Sequence, residues 1–153
     1  MFYSWNLSNY DDSATFVNNA IHDTMKNGSR LTGGDLYNQI QIIPFEKLNK
    51  FYIFHLGILT TYGLYYSVVD MTQDNGNGST ILKNVQLNNL RPGDCLTAVK
   101  HGNGRDWWVI SKLSTGTTVS QLNRFFVYLV TPDSVYTPNV QDFNDALMLI
   151  FKK

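Results

Sequence analysis

Short apolar stretches rich in aromatic and β-branched residues recur along the chain, and polar or glycine-containing segments separate them. The clearest pair covers residues 51–56 and 64–71, and it predicts two strands because neither stretch contains proline. Residues 74–78, with the sequence DNGNG, follow the second stretch. Asn-Gly is the strongest short turn signal, so we expect a tight turn there.

A second unit of the same kind lies between residues 96 and 131. Residues 96–101 alternate apolar and polar side chains, and residues 107–111 return after the sequence GNGR. This arrangement predicts a β-hairpin. A further strand is predicted over residues 125–130, and Pro132-Asp133 marks its end.

These units recur at a similar spacing. Aromatic strand starts at Phe2, Phe51 and Trp107 lie 49 and 56 residues apart. A period of about 50 residues is typical of one four-stranded propeller blade. The pattern predicts one propeller-like domain over residues 1–153, and the tail at 142–153 is either a helix with Asp142 as N-cap or a terminal strand. The predicted blade-like units are 1–48, 49–94 and 95–141.

Composition narrows the fold class and the function classes. The 153 residues suffice for one domain, and 14% aromatic residues with 16 asparagines favour an all-β, antiparallel protein with many turns. Twelve basic residues balance twelve acidic ones, which argues against a protein that binds nucleic acid by neutralising phosphates. No apolar run exceeds six residues, so no membrane span is expected.

Two longer motifs carry a family resemblance. They are KFYIF with GLYYSVVDM, at 50–54 and 63–71, and LTAVKHGNGRDWWV at 96–109. They resemble the N-terminal β-propeller region of large secreted proteins of Gram-negative bacteria that use type IX secretion and carry a gliding-type sorting domain. The resemblance extends over residues 16–135. It implies an extracellular or cell-surface location but assigns no catalytic role.

The chain also departs from that family's pattern. It shows no sorting domain, and its first residues lack the basic start and apolar run of a signal peptide. Three blade-like units cannot close a ring, because propellers have typically four to eight blades. We therefore expect a fragment or truncated copy of a longer protein, or a subunit that self-associates to complete the propeller.

The candidate binding residues lie in the predicted hairpin. Trp107 and Trp108 are neighbours on one strand, so their rings should point to opposite faces, one of them into the core. The other ring is either exposed as a glycan platform or interface anchor, or covered by a stacked sheet. Lys100, His101 and Arg105 flank the same turn. For His101, packing on a tryptophan or capping the turn is the alternative to a ligand-binding role.

The remaining chemistry-bearing residues predict neither a catalytic site nor a metal or cofactor site. His22, His55 and His101 lack zinc-ligand spacing, and residues 74–78 offer a single carboxylate where calcium needs several. Cys95 is predicted to be a buried, inert thiol. The carboxylate pairs at 11–12 and at 142 and 145 are expected to be solvated turn residues rather than a glycosidase pair.

The sequence thus predicts a non-catalytic binding or scaffold module that displays loops for protein or glycan recognition. Two alternatives stay open. One is a propeller-type glycan hydrolase, and the other is a structural subunit that self-assembles.

Overall fold

Ten β-strands and two short 3₁₀ turns make up the regular structure of the described residues, which are 2–4, 15–33, 38–57, 61–93, 95–114 and 123–143 in a computed structural model. The strands are β1 (Phe2–Ser4), β2 (Phe16–Asn18), β3 (Ile40–Phe45), β4 (Lys50–Gly57), β5 (Gly63–Asp70), β6 (Ser79–Asn88), β7 (Thr97–Lys100), β8 (Trp107–Lys112), β9 (Arg124–Val130) and β10 (Asn139–Asp142). The predicted all-β class is confirmed.

Two four-stranded antiparallel sheets dominate the architecture of the described residues. Sheet one has the strand order β3-β4-β5-β6, and sheet two has the order β7-β8-β9-β10. Each strand pairs with its neighbours along the chain, so both sheets are simple meanders. A small antiparallel pair of β1 and β2 precedes them. The 3₁₀ turns are Glu46–Leu48, between β3 and β4, and Asp74–Gly76, in the predicted turn after β5.

The two sheets pack on each other through a shared apolar core. From sheet one, Phe54 and Leu64 point into this core, and from sheet two Val109 and Tyr128 meet them; all four are buried. Asn88 on β6 donates a hydrogen bond of 2.8 Å to the Tyr128 hydroxyl and so ties the two sheets together. Alternation along each strand places every second side chain in this layer.

The other face of sheet one is covered as well. Val17, Met25 and Leu31 of the N-terminal segment pack against Ile53 and Val69 in a second core cluster. Strand β4 is therefore buried on both faces. This double burial explains why its sequence, FYIFHL over residues 51–56, is almost continuously apolar instead of alternating.

Sheet two has an apolar outer face that belongs to neither core cluster. Register pairs Trp108 with Leu129 and Ile110 with Val127, on the face opposite to Val109 and Tyr128. Phe143 continues this face, because its ring meets the Phe125 ring edge-on at 5.6 Å between centroids. The apolar residues of this outer face are Val99, Trp108, Ile110, Phe125, Val127, Leu129 and Phe143.

The structure decides the predictions made for Cys95 and Asp142. Cys95 is exposed, so the prediction of a buried thiol is wrong. Cys95 lies in the connection between the sheets, where the next residue, Leu96, enters the core instead. Asp142 ends strand β10 instead of capping a helix. Residues 144–153 of the predicted tail and the pair at 11–12 lie outside the described residues.

Candidate functional site

A cleft of about 350 Å³ opens between the two sheets at one end of both. One wall is the turn from β3 into β4, and the other is the β7–β8 hairpin with the segment that follows β9. The volume falls within the usual range for small-ligand pockets. The lining residues are Pro44, Phe45, Glu46, Lys47, Leu48, Lys100, Gly104, Arg105, Trp107 and Pro132.

The hairpin wall is held in shape by the side chain of Asn103. Its Oδ1 accepts hydrogen bonds of 3.0 Å from the backbone N–H groups of Arg105 and Asp106, and its Nδ2 donates to Asp106 at 2.7 Å. Gly104 has φ of +73°, a left-handed conformation that favours glycine. The GNGR sequence that predicted this turn therefore also holds the hairpin in the shape that places Lys100 and Trp107 at the cleft.

Arg105 and Asp106 form an ion pair at the rim of the cleft. The Arg105 guanidinium donates from Nε to Asp106 Oδ1 at 2.7 Å and from Nη2 to Oδ2 at 3.1 Å. These bonds, followed by the one from Asn103, hold the pKa of Asp106 below its usual value. Because Asp106 already pairs with its charge, Arg105 shapes the rim of the cleft and does not act as a free cation there.

Lys100 and Trp107 form the basic and aromatic part of the cleft. The Lys100 Nζ lies 5.6 Å from the centroid of the Trp107 ring, within cation–π range. Trp107 is half-buried and packs on the shared core, whereas Lys100 is exposed. The exposed part of the Trp107 ring therefore lies beside the positive charge of Lys100.

The opposite wall comes from sheet one. Phe45 is buried and meets the Tyr52 ring edge-on at 5.4 Å, and Leu48 is 43% exposed at the lip. Beneath the cleft, the Tyr52 hydroxyl donates a 3.1 Å hydrogen bond to the Pro132 carbonyl oxygen and joins the two walls. Burial, followed by the nearby Tyr66 and Asp133, raises the pKa of Tyr52, so this hydroxyl keeps its proton.

The structure divides the five residues predicted from sequence into two groups. Lys100, Arg105 and Trp107 line the cleft. Trp108 lies on the other face of β8, where its ring is 5.2 Å from the His101 ring. His101 also accepts a 3.0 Å hydrogen bond at Nδ1 from the Asn103 N–H, a bond that caps the turn.

The sequence analysis missed the wall from sheet one, residues 44–48. These residues are far along the chain from the hairpin, and they meet it only because the sheets pack face to face. No local motif marks them. The proline at the end of β3 is a strand-end signal, but it does not indicate a binding site.

A set of hydrogen-bonded polar residues lies buried in sheet one, away from the cleft. The Asn84 N–H donates to Ser67 Oγ at 3.0 Å, and Ser67 in turn donates to His55 Nε2 at 3.1 Å. His55 Nδ1 donates to the Thr32 carbonyl oxygen, a tautomer assigned from these partners. Both His55 and Ser67 are fully buried, so the pair has no access to a substrate.

Comparison with known proteins finds no match for this chain among family models, curated proteins or solved structures. In the part of the chain that the structure describes, no three His, Cys, Asp or Glu side chains cluster as a metal site requires. Over the same residues, no helix has the length and apolar character needed to cross a membrane.

Proposed function

We propose that this protein is a non-catalytic binding module that recognises a protein or glycan ligand in the cleft between its two sheets. The observation that carries this proposal is the cleft itself, which brings together the Trp107 ring, the exposed Lys100 side chain and apolar walls from both sheets. Binding sites are commonly built from loops that a packed scaffold positions. Among the described lining residues, Glu46 supplies the sole carboxylate, which favours binding over glycoside hydrolysis with its two carboxylates.

The proposal includes a propeller-like architecture and an extracellular or cell-surface location. Two observations support the propeller-like architecture. The two four-stranded meanders follow each other along the chain, and the chain leaves sheet one at its last strand, β6, and enters sheet two at β7, which lies beside β3. The Leu96 N–H, just before β7, donates to the Asn38 carbonyl oxygen at 3.2 Å and marks this approach. The motifs at 50–71 and 96–109 support the location through their resemblance to secreted type IX proteins.

We predict that Trp107→Leu weakens ligand binding by about 10- to 30-fold, whereas Trp108→Leu changes it less than about twofold, since buried aromatic anchors dominate interface energies. Labelled protein is first screened on glycan and peptide arrays. The dissociation constant of each hit is then measured for both variants by fluorescence anisotropy. Trp108 is a matched control, because it neighbours Trp107 on β8 but faces away from the cleft.

A milder pair of variants guards against loss of folding. Leu48→Ser removes apolar surface at the lip, and Leu90→Ser changes a leucine of similar exposure elsewhere, 39% against 43%. Weaker binding for Leu48→Ser alone supports the proposal. Equal effects of the two serine variants, or arrays without any hit, would show that the cleft is not a binding site.

A second candidate function, a structural subunit that self-assembles, is favoured by the outer face of sheet two. Val99 and Phe143 on this face are 53% and 54% exposed. Contiguous apolar patches of this kind often mark interaction sites. The same face would be available to a further blade of a longer protein.

For this candidate we predict a discrete dimer or larger ring in light scattering after gel filtration, over a wide range of protein concentration. Phe143→Ser should return the protein to a monomer, because it removes an exposed aromatic ring from the interface. Ile81→Ser is the control, since Ile81 is 49% exposed on sheet one. A wild-type monomer at all concentrations would contradict self-assembly.

A further inference from the structure

The side chains around the cleft differ from those expected for a neutral sugar. Among the described lining residues there is no side-chain amide or hydroxyl, so the polar groups offered to a ligand are the charged ones of Glu46, Lys47, Lys100 and Arg105. Pro44, Leu48, Trp107 and Pro132 instead offer apolar surface around the opening. An apolar side chain of a partner protein would gain more from this surface than a hydroxyl-rich ring.

The charges at the rim favour a negative partner group. Of the three basic residues, Arg105 is paired with Asp106. Over the described ranges, no carboxylate lies within ion-pair distance of Lys47 or Lys100. Two further acidic residues lie near the rim: Glu46 is adjacent to Lys47 on the opposite wall, and the charge of Asp133, after Pro132, acts on Arg105. Lys100 therefore presents a positive charge beside the Trp107 ring.

We infer that the ligand of this cleft is a protein segment in which an apolar side chain is followed closely by an aspartate or glutamate. The apolar side chain enters between Leu48 and Trp107, and the carboxylate meets the Lys100 ammonium at the rim. The aromatic–apolar contact supplies most of the affinity, and the ion pair supplies charge selectivity. This inference rests on the proposed binding function and specifies its ligand class.

The test uses short synthetic peptides with one central leucine or phenylalanine, flanked by aspartate, serine or lysine, in fluorescence anisotropy with the full chain. We expect the aspartate-flanked peptides to bind most tightly and the lysine-flanked ones most weakly. Added salt should weaken the aspartate series, since exposed charge pairs are screened. Replacing the central residue by glycine should abolish binding in every series.

A matched pair of lysine variants locates the charge contact. Lys100→Ser should weaken binding of the aspartate-flanked peptide about three- to fivefold, in keeping with a partly exposed ion pair. Lys112→Ser should leave binding unchanged, although the Lys112 Nζ likewise lies near an aromatic ring, 5.8 Å from the Phe125 centroid. Lys112 is on β8 but does not line the cleft.

The outcomes separate this inference from the function on which it rests. Equal binding of all three peptide series, or equal effects of Lys100→Ser and Lys112→Ser, would overturn the acidic-segment inference. Glycan hits that depend on Leu48 and Trp107, without peptide binding, would overturn it while keeping the binding module. No binding by peptides or by glycans would overturn both.

Discussion

Replacing Phe54 with alanine is expected to lower the free energy of unfolding by about 3–5 kcal/mol, the usual cost of a large cavity in a packed core. The Phe54 side chain is fully buried in the layer between the two sheets. Its ring also stacks on the Tyr66 ring, with 5.8 Å between centroids. Urea unfolding followed by tryptophan fluorescence measures the change, because a loss of this size shifts the midpoint strongly.

A control on the same sheet separates core packing from a general effect of alanine. Ile42 on β3 is 43% exposed, so Ile42→Ala should change stability by no more than about 0.5 kcal/mol. A loss of less than about 1 kcal/mol for Phe54→Ala would mean that Phe54 is not packed in a core between the two sheets.

Mild acid should destabilise the protein through His55, by about 2 kcal/mol between pH 7.5 and pH 5. Burial lowers the pKa of His55 to about 4, and the hydrogen bond to the Thr32 carbonyl oxygen opposes this only in part. Below about pH 6.5 the unfolded chain takes up a proton that the folded chain does not. Stability is therefore complete above that pH and falls as the pH approaches 4.

His55→Gln provides the control, since a glutamine keeps an oxygen near Ser67 Oγ but does not titrate. The variant should be less stable at pH 7.5, and the part of the pH dependence due to His55 should vanish from urea curves recorded between pH 7.5 and 5. Asp70 and Asp106, whose pKa values are lowered by hydrogen bonds, lose their stabilising effect only below about pH 4. NMR titration gives the imidazole pKa directly, and a value above about 6 would contradict the prediction.

Sequence alone was a good guide to several individual strands. Predicted strands at 51–56, 64–71 and 125–130 agree closely with β4, β5 and β9, because apolar patterning and turn residues act locally. Part of the high asparagine content also has a local cause, the backbone conformation of turns and bulges. Five asparagines among the described residues adopt positive φ, a conformation that asparagine tolerates better than most residues: Asn27, Asn38, Asn49, Asn75 and Asn84.

Of the two walls of the candidate site, the sequence predicted only the one formed by the β7–β8 hairpin. The GNGR turn identified Lys100, Arg105 and Trp107, because the hairpin that positions them is encoded in a dozen residues. Leu48 carries no local signal, since its place in the cleft depends on how two separate sheets pack. The same limit explains why alternation placed the two tryptophans on opposite faces without showing which one faced the cleft.

The connectivity of the sheets also bears on how the chain folds. Every sheet pairing among the described strands joins strands that are consecutive along the chain, unlike a Greek-key fold. Pairing therefore requires the closure of short loops only, so the barrier should be low for an all-β protein. Sheet one can complete its pairing during synthesis before β7 has left the ribosome, and it then offers its apolar face as a template on which sheet two assembles.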